Sequence, residues 1–288
     1  MLEKNKIILV DTHCHINIMV KEKFDAPINS ENFELAKKIS LQAAHEGVDY
    51  ILNAGTSVIE CINCIKLAQQ NKNMFSAVGI HPCDITAHWN KDLKQVIQFL
   101  QNKKENKIVA IGECGLDLYH QTHTLTQQKE LLKAQIELSF EHNLPLTIHM
   151  RQATDEMVSC LQAFEQEFKK RAGTDMGNFN GVMHCFSEST QFAEYVISLG
   201  FAIGIGGPIT YPKNNSLRET ISQIDLSKIV LETDAPFLPP QIIRGKRNHP
   251  KYIKNIAENL AKIKNTSLNT IAQETTKNAF KLFKFETK

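Results

Sequence analysis

Metal-ligand side chains recur where apolar runs end. Val10-Asp11-Thr12-His13-Cys14-His15, Ile111-Gly112-Glu113, Thr147-Ile148-His149, Val182-Met183-His184 and Leu231-Glu232-Thr233-Asp234 each close a β-type stretch, with a weaker instance at Gly79-Ile80-His81-Pro82. One such residue signifies little, because an innocent loop position explains it equally well. Repetition at successive run ends changes the odds. An imidazole or carboxylate buried without a partner is strongly disfavoured, and a divalent cation relieves that cost. The set His13, His15, Glu113, His149, His184 and Asp234 therefore reads as a metal centre. Imidazole and carboxylate without thiolate suit Zn²⁺, Mn²⁺ or Mg²⁺ in a catalytic rather than a structural site. Four imidazoles and two carboxylates exceed what one open catalytic ion needs, whereas two bridged ions use them all, with Glu113 as the natural bridge.

The elements that must present these residues follow from periodicity. Apolar β-type runs fall at residues 7–10, 48–53, 75–79, 108–112, 144–148, 181–183, 201–206 and 229–231. Between them lie stretches of helical spacing, clearest at 127–142 and similar at 32–45, 59–70 and 92–101. Strands alternating with helices imply βαβ units and a parallel sheet. Eight units over 288 residues match an α/β fold of (β/α)₈ TIM-barrel type, which residues 1–288 would form as a single domain. Such a barrel brings all strand C-termini to one face, where its active sites lie. No Gly-rich dinucleotide fingerprint follows the first run, which weakens an open Rossmann sheet. Alternation along the first strand puts Asp11, His13 and His15 on one side and turns Val10, Thr12 and Cys14 toward the covering helices. Glu232 shares the parity of Asp234, which leaves it either an acceptor behind a ligand histidine or turned away by a bulge. Gly204, Gly206 and Gly207 suit either a backbone approach to substrate or a tight turn. The tail 265–288 reads as a final amphipathic helix with a solvated lysine face.

Composition narrows the class. The chain is 42% hydrophobic and 22% charged, with a formal net charge of +2, so it can bury a large core; the charge points to no polyanion-coated surface and leaves room for a local basic rim. Residues 1–6 lead into only a short apolar run, too short for a signal-peptide core. No apolar run approaches the roughly 18 residues of a membrane span. Scattered cysteines, odd in number, suit a reducing cytoplasm with free thiols. Cys61 and Cys64 form a lone Cys-x-x-Cys on a helix face, with no second pair at zinc-site spacing; two small buried thiols explain them best.

These motifs carry a resemblance. Asp11-Thr12-His13-Cys14-His15, Gly79-Ile80-His81-Pro82, Gly112-Glu113-Cys114-Gly115-Leu116-Asp117, Ile148-His149-Met150-Arg151-Gln152-Ala153, His184-Cys185-Phe186-Ser187, Glu232-Thr233-Asp234-Ala235-Pro236 and Arg244-Gly245-Lys246-Arg247-Asn248 resemble, in order, the motifs of the TatD family of metal-dependent deoxyribonucleases. The resemblance spans about residues 7 to 285 and implies an amidohydrolase-like TIM barrel. It implies a first metal on His13, His15, Glu113 and Asp234, and a second on Glu113, His149 and His184. It also implies hydrolysis of DNA phosphodiester bonds, often from the 3′ end of single strands. The chain departs from the family's usual pattern at His81-Pro82-Cys83, where a second histidine is common, and at Asn248-His249-Pro250, where Asn-Glu-Pro is common. Both departures touch the expected substrate rim and spare the expected ligands.

The resulting expectation is an exodeoxyribonuclease, 3′ to 5′ on single-stranded DNA, with two divalent cations (Mg, Mn or Zn). Glu113 and Asp234 are the catalytic residues, and Asp234 takes or shuttles the proton of the attacking water. His81, Arg151, Lys246 and Arg247 are the candidate substrate contacts, with Arg151 as phosphate clamp and His81 on the rim. The second ion, with fewer carboxylates, is expected to bind more weakly. DNA is the only partner expected, with neither a membrane nor an obligate protein. Two rival readings are a hydrolase of another small ester or amide, since this barrel hosts many substrates, and a non-catalytic metal-stabilised binding barrel.

Overall fold

The structure is a computed structural model and describes residues 7–120, 122–172 and 179–285. Residues 1–6, which bear on the signal-peptide reading, and residues 286–288 of the tail lie outside it. Eight strands form one parallel sheet in sequence order: β1 (Leu9–Cys14), β2 (Val48–Ala54), β3 (Met74–Val78), β4 (Ile108–Asp117), β5 (Leu146–Arg151), β6 (Gly181–Met183), β7 (Phe201–Ile205) and β8 (Ile229–Leu231). Contacts between the two terminal strands nearly close the ring: Thr12 Oγ1 donates to the Leu231 carbonyl at 2.9 Å, and Asp234 N to the His13 carbonyl at 2.8 Å. With its surrounding helices, this is a TIM barrel.

The helices are α1 (Ile16–Met19), α2 (Ser30–His45), α3 (Val58–Gln70), α4 (Trp89–Gln101), α5 (Leu125–His142), α6 (Thr154–Ala172), α7 (Thr190–Ser198), α8 (Asn215–Gln223), α9 (Ile253–Ile263) and α10 (Leu268–Phe283). Their starts are chemically marked. Asn29, Ser57, Thr124, Ser189 and Ser267 each accept a backbone N–H of the first turn, and Asn29 and Thr124 complete reciprocal capping boxes. These bonds satisfy N–H groups that a helix start otherwise leaves unpaired. Among the described residues, no helix is long and apolar enough to cross a membrane.

The core has two layers. Val10, Leu52, Ala54, Phe75, Ala77, Ala110, Val182 and Val230 come from strands all round the sheet and form one cluster, the barrel interior, together with Phe283 and Phe285 at the end of the chain. A larger cluster lies between strands and helices and includes Leu9, Cys14, Cys61 and Met183. Cys61 and Cys64 are fully buried on α3, in keeping with a packing role.

Two features correct the expectations. Val10 belongs to the interior cluster rather than facing the helices, and Asp11 is held by the backbone N–H and hydroxyl of Thr233 and by His13 N. The β1–β2 register slips between Leu9 and Val10 and again between Asp11 and Cys14. Each slip resets which side a residue faces, so strict alternation fails there. In addition, β4 runs past the expected end at 112 to Asp117. Gly112 permits the passage: its φ is +134°, and a Cβ there would stand 2.5 Å from Thr147.

Candidate metal centre

The six expected ligands converge at the C-terminal mouth of the barrel, around Glu113. His13 and His15 come from β1 and the residue after it. Glu113 sits within β4, His149 within β5, and His184 and Asp234 just beyond β6 and β8. The two oxygens of Glu113 face different partners. Oε2 lies 3.3 Å from His13 Nε2 and 3.6 Å from His15 Nε2. Oε1 lies 3.0 Å from His149 Nδ1, 3.8 Å from His184 Nε2 and 3.6 Å from His81 Nε2. Asp234 Oδ1 stands 3.4 Å from His15 Nε2 and 3.6 Å from His184 Nε2. Asp234 adopts φ +58°, a left-handed conformation that aspartate tolerates better than most residues.

This donor set fits divalent cations. His13 Nε2 and His15 Nε2 face each other at 3.2 Å, an arrangement that needs a proton or a cation between two lone pairs. The rings of His13 and His184 stack at 3.6 Å between centroids. Such crowding of like groups, nearly all buried, is what a shared positive centre would hold together.

Behind the cluster, the other nitrogen of His13, His15 and His149 is hydrogen-bonded, and that of His184 faces a carboxylate. His13 Nδ1 meets Thr147 Oγ1 at 3.0 Å, and His15 Nδ1 meets the Ala54 carbonyl at 2.9 Å. His149 Nε2 meets Asp117 Oδ2 at 3.1 Å, and His184 Nδ1 lies 3.0 Å from Glu232 Oε1. Glu232 is fully buried and accepts from Cys185 N; it faces His184 as an ion-pair partner rather than being turned away by a bulge. Gly204 makes room for it: a Cβ there would come 2.5 Å from Glu232 Oε2. Gly207 instead admits the Leu238 carbonyl, which a Cβ would meet at 2.1 Å.

Protonation follows from these partners. Burial disfavours charge on His15, yet the Asp234 and Glu113 carboxylates carry its pKa above the usual value. Burial likewise opposes charging His184, but Glu232 and Asp234 raise it to about 10. His149 is raised against its burial by Asp117 and Glu113. His13 goes down, through burial and the neighbouring His184. Glu113 is held well below the carboxylate range despite burial, by His81, His13 and His149.

The expected substrate contacts divide. His81 and Arg151 line the cleft of about 820 Å³ that opens over the cluster. His81 sits deeper than the rim: it points at Glu113, its ring lies 4.3 Å from that of His149, and burial with His149 lowers its pKa to about 3. Arg151 stacks on Tyr119 at 4.0 Å. Lys246 and Arg247 are exposed on the loop after β8 and do not line the cleft. Asp117, Phe24 and Phe237 are among the cleft residues that escaped the sequence reading. Asp117 stands within the quoted Gly112–Asp117 motif, but only the continued β4 puts it behind His149. Phe24 and Phe237, both 48% exposed at the mouth, come from loops whose spacing carries no signal.

Comparison with known proteins agrees with this architecture. The family model described as TatD related DNase matches residues 10–284. The uncharacterised metal-dependent hydrolase YabD of Bacillus subtilis is 33% identical over 96% of this chain and 99% of its own length. The protein named 3′-5′ ssDNA/RNA exonuclease TatD, of Pantoea ananatis, is 29% identical, over 90% of this chain and 98% of its own. The crystal structure of YjjV, a TatD homologue of Escherichia coli, superposes with a TM-score of 0.81 at 28% identity, covering 96% of this chain and 98% of that one.

Proposed function

We propose, on the premise that this chain belongs to the TatD-related DNase family of metal-dependent hydrolases, that it is a two-metal exodeoxyribonuclease acting 3′ to 5′ on single-stranded DNA. Its likeness to the Pantoea ananatis protein named as an ssDNA/RNA exonuclease supports the substrate class. The observation that carries the two-metal reading is the division of the Glu113 oxygens between His13 and His15 on one side and His149 and His184 on the other. In this reading, one TIM-barrel domain runs through the chain and works in the reducing cytoplasm.

In this reading His13, His15, Glu113 and Asp234 hold one ion, and Glu113, His149 and His184 the other. Divalent cations bound there would supply Lewis acidity toward a phosphoryl oxygen and acidify the attacking water. The protein's own groups do the rest. Asp234 Oδ accepts the water proton, for which its position between His15 and His184 is suited. Glu232 and Asp117 keep His184 and His149 oriented, so the cluster need not reorganise as charge develops. Arg151, stiffened against Tyr119, binds a phosphate of the strand, and His81 lies within reach of the scissile group. Lys246 and Arg247 act farther out, on the backbone of the approaching strand.

The test is release of mononucleotides from single-stranded DNA with Mg²⁺ or Mn²⁺. No release, with turnover of a small phosphoester or amide instead, would defeat the nuclease reading. Arg151→Ala should raise KM about tenfold, the loss of one charge-assisted hydrogen bond, at unchanged metal content. An unaltered KM removes Arg151 from the substrate contacts.

A further inference from the structure

On the cleft wall beside His149, three more ligand-type atoms converge. Cys83 Sγ, an Asp117 oxygen and a His120 ring nitrogen all lie within 4.8 Å of one another. Asp117 is fully buried, and its Oδ2 takes His120 Nδ1 at 2.8 Å as well as His149 Nε2 at 3.1 Å. Its Oδ1 accepts the backbone N–H groups of Tyr119 and His120 at 2.9 and 2.8 Å, which fixes the carboxylate. The Cys83 thiol lies against the same carboxylate and Thr122, and its backbone N–H is tied to His81 Nδ1 at 3.0 Å. Thiol and imidazole thus both aim at one buried carboxylate, where a single cation could replace their protons.

We propose that Cys83, Asp117 and His120 form a further divalent-cation site of the zinc class, adjoining the centre around Glu113 through the Asp117 carboxylate that also holds His149. Thiolate, imidazole and carboxylate in one group select zinc-like ions. With metal–ligand lengths of roughly 2.0–2.3 Å, two ligands of one ion stand more than ~3 Å apart, so His120 Nδ1 must back away from its 2.8 Å contact with Asp117 Oδ2; His120, 47% exposed, has room to turn. On binding, the thiol releases its proton to solvent and the His120 proton moves to Nε2. With three protein ligands the fourth position stays open to water. The site does not depend on which substrate the enzyme cleaves.

Titrating chelator-stripped full-length protein with Co²⁺ tests this without an activity assay. None of the ligands proposed around Glu113 is a thiol, so a near-ultraviolet thiolate-to-cobalt charge-transfer band reports the new site. The expected result is a band in the parent protein that is lost in Cys83→Ser together with about one bound cobalt per chain. Cys185→Ser, beside His184 and Asp234, should keep the band. His120→Ala should retain the thiol but shift the band's midpoint at least tenfold upward in cobalt. No band at saturating cobalt, a band that survives Cys83→Ser, or one lost in Cys185→Ser overturns the proposal. Circular dichroism of each variant shows that the barrel is intact.

Discussion

On the Oε2 side of Glu113, the histidines lean on uncharged groups: a hydroxyl of Thr147 behind His13 and a carbonyl of Ala54 behind His15. On the Oε1 side they lean on buried carboxylates, Asp117 behind His149 and Glu232 behind His184. Asp234 stands between the sides, 3.4 Å from His15 and 3.6 Å from His184, and in the proposed assignment serves the first. The second receives its negative charge one residue back. A carboxylate behind an imidazole raises its basicity and fixes its ring. The proposed second ion, expected from its ligand count to bind more weakly, is therefore partly compensated. Counting direct ligands underestimates a site whose charge stands behind them.

The largest expected break in this comparison is Glu113→Gln. It removes the charge common to both sides, so metal content should fall toward zero and hydrolysis should be abolished while the circular dichroism stays that of the barrel. Retained metal and activity would sink the bridge assignment. Chelation of the parent protein should lower its melting temperature by several degrees, since ligands that bind only the folded state stabilise it by roughly 3 kcal/mol at a hundredfold excess over Kd.

Asp234→Asn should separate the sides. The ion at His13 and His15 is lost and the other remains, halving the metal measured by elemental analysis. Loss of both ions would show that the two positions are not independent. Next comes Glu232→Gln, which removes the charge behind His184. Affinity for one ion should fall up to about 100-fold, read as a split in a metal-binding isotherm. Thr147→Val is the mildest, because a neutral hydroxyl is lost behind His13; the weakening should stay near the lower limit of about tenfold. If Thr147→Val costs as much as Glu232→Gln, charge behind the imidazoles is not what distinguishes the two sides.

The cluster was far more legible in the sequence than its supports. His13, His15, Glu113, His149, His184 and Asp234 announce themselves because each follows an apolar run, and the eight runs imply a barrel whose strand ends share one face. Residue type and periodicity are local quantities, and they sufficed for the element order, the barrel and the candidate ligands. Tertiary structure decided the rest. Register slips in β1 moved Val10 inward and turned Asp11 to Thr233, which alternation cannot foresee because a bulge is fixed by pairing with a neighbouring strand. The extension of β4 put Asp117 behind His149, and the absent side chain at Gly204 admitted Glu232 behind His184. Which nitrogen of a histidine is anchored, and by what charge, depends on residues distant in the chain, and only the closed barrel brings them together.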